Sequence, residues 1–204
     1  MIEISEQTIN RIHAVLHGVK DADKKVLKPA LTRGLMAGKT QAGKVARENY
    51  RISKQDFDRY GYLQYNGMTQ SGNDIIGSFK YSGRPIALMK YKVTPNSPKY
   101  HATPSAAVLK SSSLVAFGDE KNVFVAQMKS GHIGIFERQE GKYSKRRGKK
   151  RNKHTEKIRE LLSPSVPQMV GNEQSIKTIE DRVREVINNR IDHEIGRLLD
   201  KNGG

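Results

Sequence analysis

Apolar residues near the start of the chain recur at helical spacing. Ile9, Ile12, Leu16 and Val19 fall on one face, with Ser5 placed to cap the helix and Gly18 and "DAD" interrupting it. A second helix is expected to open at Lys28-Pro29, because a proline at the first helical position gives up an amide that has no partner there. Its interior is crowded with small residues: Ala30, Gly34, Ala37, Gly38, Ala42, Gly43 and Ala46. Glycine costs about 1 kcal/mol against alanine inside a helix, so these positions point to close backbone approach by another element. "RISKQDFDRYGYL" predicts a short helix capped by Ser53 and ended by Gly61.

The period then changes to two. "IIGSFKY" (75–81), "RPIALMKYKV" (84–93), "AAVLKSSSLVAF" (106–117) and "NVFVAQMKSGHIGIFER" (122–138) alternate or run apolar, with Gly, Pro, Ser and Asn between them, and predict strands. In the last, "KSGH" is a tight reversal and makes the segment a β-hairpin. "TPNSPKYHATPS" (94–105) is proline-rich and predicts an irregular connection.

Further on, "IRELLSPSVPQMVGNE" predicts a short helix that Pro164 and Pro167 end. Asn172 then caps a long helix whose apolar residues, Ile176, Ile179, Val183, Ile187, Ile191, Ile195 and Leu198, recur every three or four positions. At about 1.5 Å per residue this helix spans roughly 40 Å, more than a small sheet covers. Part of the stripe, Ile176, Ile179, Val183, Ile187 and Ile191, is therefore expected to lie between subunits. The fold class is α+β: N-terminal helices, a small antiparallel β-sheet with a hairpin at 122–138, and a long C-terminal helix. Four consecutive segments of one structural domain follow: helices over 1–50, a short helix and sheet core over 51–141, a loop over 142–155, and the closing helices over 156–204.

Charge changes the picture. The 204 residues carry a formal net charge of +16, only 35% are hydrophobic, and tryptophan is absent. A small core with a long apolar stripe favours an oligomer, and the charge favours acidic partners. With no cysteine there is no disulfide framework or thiolate zinc site, which fits a reducing compartment. The first residues lack a basic stretch followed by an apolar run, and no apolar run is long enough to cross a bilayer, so the reading is a soluble, unexported protein with no membrane partner.

Eight of the cations lie together, at Lys142, Lys145, Arg146, Arg147, Lys149, Lys150, Arg151 and Lys153, with no acid among them. A nucleic-acid contact, a targeting signal and a solvated loop all fit such a run. Tyr143 is its single aromatic, so attraction to phosphates is favoured over base stacking.

Catalytic patterns are sparse. His13 and His17 have ligand spacing on a helix but no third ligand nearby in sequence, and His132 reads as a turn residue. Asp119 followed by Glu140-Gly141-Lys142 imitates the carboxylates and lysine of a metal-dependent nuclease. Yet Glu140 falls after the apolar alternation has ended, where no strand would fix it. The expectation is a non-enzyme with no catalytic residue, metal or cofactor.

Several segments, in order, resemble one family. "VLKPALTRGLMAGKTQAGKVARENYRIS", "GRPIALMKYKV", "VFVAQMKSGHIGIFERQEGK", "SPSVPQM" and the long C-terminal helix are similar to the prophage minor tail protein Z family of lambda-like phages, over about residues 25–200. The resemblance implies a virion structural protein that completes the tail near the end joining the head. It would work as a ring, commonly sixfold, beside other tail and neck proteins, made in the host cytoplasm and carried in the virion tail. It supplies no catalytic residues. The basic run has no counterpart in the resemblance, so genome DNA or an acidic neighbour as its partner rests on charge alone. The alternative is a basic nucleic-acid-binding protein outside any virion.

Overall fold

The computed structural model describes residues 2–4, 6–17, 19–71, 74–98, 102–117, 122–144 and 155–202. Its elements are β1 (Ile2–Ile4), α1 (Glu6–Val15), α2 (Ala22–Asn49), α3 (Lys54–Tyr60), β2 (Tyr62–Ser71), β3 (Asp74–Ser82), β4 (Ile86–Ala87), a 3-10 turn (Leu88–Lys90), β5 (Lys92–Thr94), β6 (Ser105–Ala107), β7 (Val115–Ala116), β8 (Val123–Gln127), β9 (Ile133–Ser144), β10 (Thr155–Glu160), β11 (Leu162–Ser163), α4 (Val166–Val170) and α5 (Glu173–Asn202). Helices with small antiparallel sheets and a long C-terminal helix make the fold α+β, as the sequence implies. Contacts group the chain into two compact units that interleave in sequence: Met1–Ala46, Gly61–Gly83 and Val166–Gly204 in the first, Arg47–Tyr60 and Arg84–Ser165 in the second.

In the first unit, α2 and α5 pack with a three-stranded sheet of order β1-β3-β2. The small residues of α2 provide the close approach that their pattern predicts. A Cβ on Gly38 would meet Phe79 of β3 and Val183 of α5, each at 2.7 Å, and one on Gly34 would clash with Ile187. Along α5, Ile179, Val183, Ile187, Ile191, Ile195 and Leu198 are all buried, Val183 and Ile187 against Gly34 and Gly38. Most of the stripe expected between subunits is thus buried within the chain; of the five interface candidates only Ile176 is exposed, at 43%. Asn172 caps α5 as expected, its Oδ1 accepting from the Ser175 amide at 2.9 Å.

The second helix begins earlier than its proline suggested. It starts at Ala22 after Asp21, which adopts a positive φ of 55°, and Pro29 lies inside it. An interior proline costs about 3 kcal/mol, but the turn around it buries Val26, Leu27, Ala30 and Leu31 almost completely, and burial of that size outweighs the lost hydrogen bond. Ser5, the expected cap of α1, lies outside the described residues.

The second unit is built on the β8–β9 hairpin. Its turn closes through Met128 N–H to His132 O (2.7 Å) and Gly131 N–H to Met128 O (2.9 Å), with Gly131 at φ +83°, where only glycine is unstrained. Val123, Val125 and Ile135 join Leu88 in its core. The residues after α2 are stitched to this unit by Arg51, whose amide donates to Val108 O and whose guanidinium donates to the carbonyls of Leu109 and Lys110. Ser53 caps α3 as predicted, its Oγ accepting from the Asp56 amide at 3.0 Å. The stretch 84–93 breaks into β4, the 3-10 turn and β5 rather than one strand, and 106–117 contributes only its ends, to β6 and β7.

Candidate functional site: a basic two-stranded ribbon

"IRELL", expected to open a short helix, instead ends β10 ("TEKIRE"), antiparallel to β9, and begins β11. The ladder with β9 holds β10 extended, and cross-strand charge pairs support it. Arg159 Nε donates to Glu137 Oε2 at 2.6 Å, directly opposite in register, and Arg138 approaches Glu156 at 3.8 Å. Such pairs stabilise a sheet by only a few tenths to about 1 kcal/mol each, but they remove the penalty for placing charged residues on a strand. Pro167, read as ending a helix, instead lies in the first turn of α4, where its missing amide costs nothing.

β9 runs past the sheet. β8 pairs with it only as far as Glu137, whereas β10 follows it to Ser144. Its outer part is therefore a two-stranded ribbon, and residues 145–154 connect the two strands at its end. The register slips within this ribbon: Gln139 faces Lys157 and Tyr143 faces Glu156, so Glu140, Gly141 and Lys142 have only the step between two residues opposite them. Gly141, at φ +70°, supplies the backbone conformation such a bulge needs.

This geometry revises the reading of the E-x-K triplet. Glu140 is on a strand after all, but on its bulge, and both Glu140 and Lys142 are exposed. Asp119 lies outside the described residues. Among the described residues no group of three or more His, Asp or Glu could hold a metal ion. His13 and His17 are exposed on the α1 segment and the turn after it, and His132 pairs through Nε2 with Glu160 Oε1 at 2.7 Å, bracing the hairpin against β10.

Of the eight basic candidates, Lys142 is exposed on the ribbon, while Lys145, Arg146, Arg147, Lys149, Lys150, Arg151 and Lys153 lie outside the described residues. The sequence missed what surrounds them. Lys157 is exposed on β10 beside the bulge, and Tyr143 is 51% exposed. Among the described residues neither Lys142 nor Lys157 makes an ion pair, whereas Glu137, Glu156 and Glu160 each face Arg or His. Two acids of these strands, Glu137 and Glu156, thus face arginines, and the strands lead into a segment whose cations have no acid among them in sequence. What the described part of the ribbon offers chemically is two exposed amines, of Lys142 and Lys157, on the strands that lead into residues 145–154.

The remaining interface candidate, Ile176, borders a groove of about 300 Å³ in the first unit, between Gly77–Tyr81 of β3 and Pro167, Val170 and Gly171 at the α4 corner. α5 also buries a carboxylate that sequence reading did not anticipate. Glu194, 1% exposed, is held by Arg190 at 2.5 Å and Arg197 at 2.7 Å on its own helix.

Among the described residues no helix is long and apolar enough to cross a membrane. Compared with protein-family models, curated proteins and solved structures, the chain finds no match.

Proposed function

We propose that the chain is a structural protein of a tailed-phage particle. In this reading it is a minor tail or tail-completion protein at the head-proximal end, forms a ring during tail assembly and head–tail joining, and performs no catalysis. The observation that carries it is where the segments of the resemblance fall. The alanine- and glycine-rich segment is the face of α2 that admits α5 and β3. "GRPI" leads into β4, whose Ile86 carbonyl accepts from Ser163 Oγ at 3.1 Å, just before "PSVPQM". The "F-x-x-Q-M-x-x-G-x-x-G-x-F" stretch is the hairpin at the core of the second unit. The segments that carry the resemblance are thus joints of this fold, and that placement is what supports the reading.

Within that reading the ribbon faces a polyanion, and genome DNA is the partner its charge suits. The test is genetic. Deleting the coding sequence from an inducible prophage should leave filled heads and tails unjoined, and supplying the intact chain should restore joining. Normal particles from the deletion would overturn the reading. A second reading, a basic nucleic-acid-binding protein outside a virion, is favoured by the ribbon alone. It requires the purified chain to bind duplex DNA with the deletion leaving particles intact.

A further inference from the structure

The sheet β1-β3-β2 ends in β2, whose outer edge pairs with no strand among the described residues. Such an edge presents a row of backbone donors and acceptors, and proteins ordinarily guard it with lysine, proline, brevity or a bulge. β2 has neither lysine nor proline. Its ladder with β3 shifts register between Asn66 and Thr69, which leaves Tyr62–Asn66 as the regular edge. No charged residue or proline occurs between Arg59 and Asp74, the longest uncharged run in a chain where 28% of residues are charged. The other edges differ. β10 carries Lys157 and Arg159, β5 carries Lys92, β1 and β7 have 3 and 2 residues, and β8, also uncharged, has 5. Tyr62 and Tyr65 on β2 are 65% and 47% exposed.

We infer that β2 is a contact between two copies of this chain, pairing antiparallel with β2 of the second copy about a twofold axis. The charge distribution selects this occupant. Two copies at +16 repel each other, so contact costs least where neither brings a cation, and this strip is the longest such place. An acidic foreign partner would have no reason to choose it. In a twofold antiparallel pair every residue of the strip faces another uncharged one, whatever the register, so no like charges oppose. The pair belongs to the free chain and does not depend on the tail reading, since a twofold contact differs from the head-to-tail contacts that close a ring.

The test compares the full-length chain with Gln64→Lys, a single lysine guard at an exposed position of the edge, by sedimentation velocity across a concentration series. The parent should form dimers that tighten as salt is raised, because screening relieves the repulsion between copies. The lysine variant should weaken the dimer at least tenfold with an unchanged circular dichroism spectrum. Hydrogen exchange on the parent supplies a readout that needs no variant: those amides of Tyr62–Asn66 that face away from β3 should become protected as dimer forms. A chain that stays monomeric, a dimer indifferent to Gln64→Lys, or a dimer whose β2 amides exchange as in the monomer would overturn it.

Discussion

Gly38 and Val183 approach so closely that a Cβ on the glycine would lie 2.7 Å from the valine Cγ2, with Phe79 equally near on another side. Helix propensity alone would make Gly38→Ala stabilising by about 1 kcal/mol. The clash reverses the sign: the variant should lose about 1 to 3 kcal/mol, the cost of overpacking. Gly196 on α5 is the control, since a Cβ there meets nothing within 4 Å, and Gly196→Ala should gain up to about 1 kcal/mol. Urea denaturation of both variants checks the pair.

Ile187 is 3% exposed and packs against Gly34 within the chain. Ile187→Asp should destabilise the isolated chain by roughly 3 to 5 kcal/mol, as expected for an uncompensated buried charge. Thermal unfolding of dilute protein decides the matter. An interface role would leave monomer stability unchanged and lower only association.

The fold was legible where local and tertiary preferences agree. The β8–β9 hairpin carries alternation and a glycine turn, α5 carries an Asn172 cap and an unbroken stripe, and α2 shows its packing in small residues. What escaped had its local signal overruled. "TEKIRE" has helical propensity but is held as a strand by its ladder with β9, and Pro29 sits in a helix because its neighbours are buried. β1 is three residues, too short to show a period, and pairs Ile2–Ile4 with β3. At the candidate site the charge was plain in the sequence, but the bulge at Gly141 and the exposed Lys157 depend on a register no local pattern encodes.

Tyr91 gives a pH signature. Its hydroxyl is buried with no partner at hydrogen-bonding geometry, while neighbouring Ser163 gives its proton to Ile86 O. Burial pushes the phenol above its ordinary 10.0, Tyr50 and Asp56 add to the rise, and Ser163 opposes it. The folded state therefore holds this proton more tightly than the unfolded state. The stability this contributes is complete below pH 10.0 and is lost as pH rises from there through the folded value. Tyr91→Phe should be neutral or stabilising by about 1 kcal/mol at neutral pH, and its advantage over the parent should widen above about pH 10. Denaturation curves at neutral and alkaline pH measure this, and a constant difference would contradict it.

Replacing Lys145, Arg146, Arg147, Lys149, Lys150 and Arg151 with serine should weaken binding to duplex DNA irrespective of sequence. Each lost phosphate contact should reduce the log–log salt slope by about 0.9, while thermal stability stays that of the parent. Retained binding with an unchanged slope would return the run to a solvated loop.

The central claim, a structural place at the head-proximal end of a tail, is tested most directly by locating the chain in a particle. Particles produced from a prophage whose copy of this chain carries a C-terminal epitope tag would be purified, labelled with gold-conjugated antibody and imaged by electron microscopy. The account predicts one cluster of gold per particle at the junction of head and tail. Gold confined to the tail tip, or purified particles with no label while the tagged chain remains in the unassembled fraction, would contradict it.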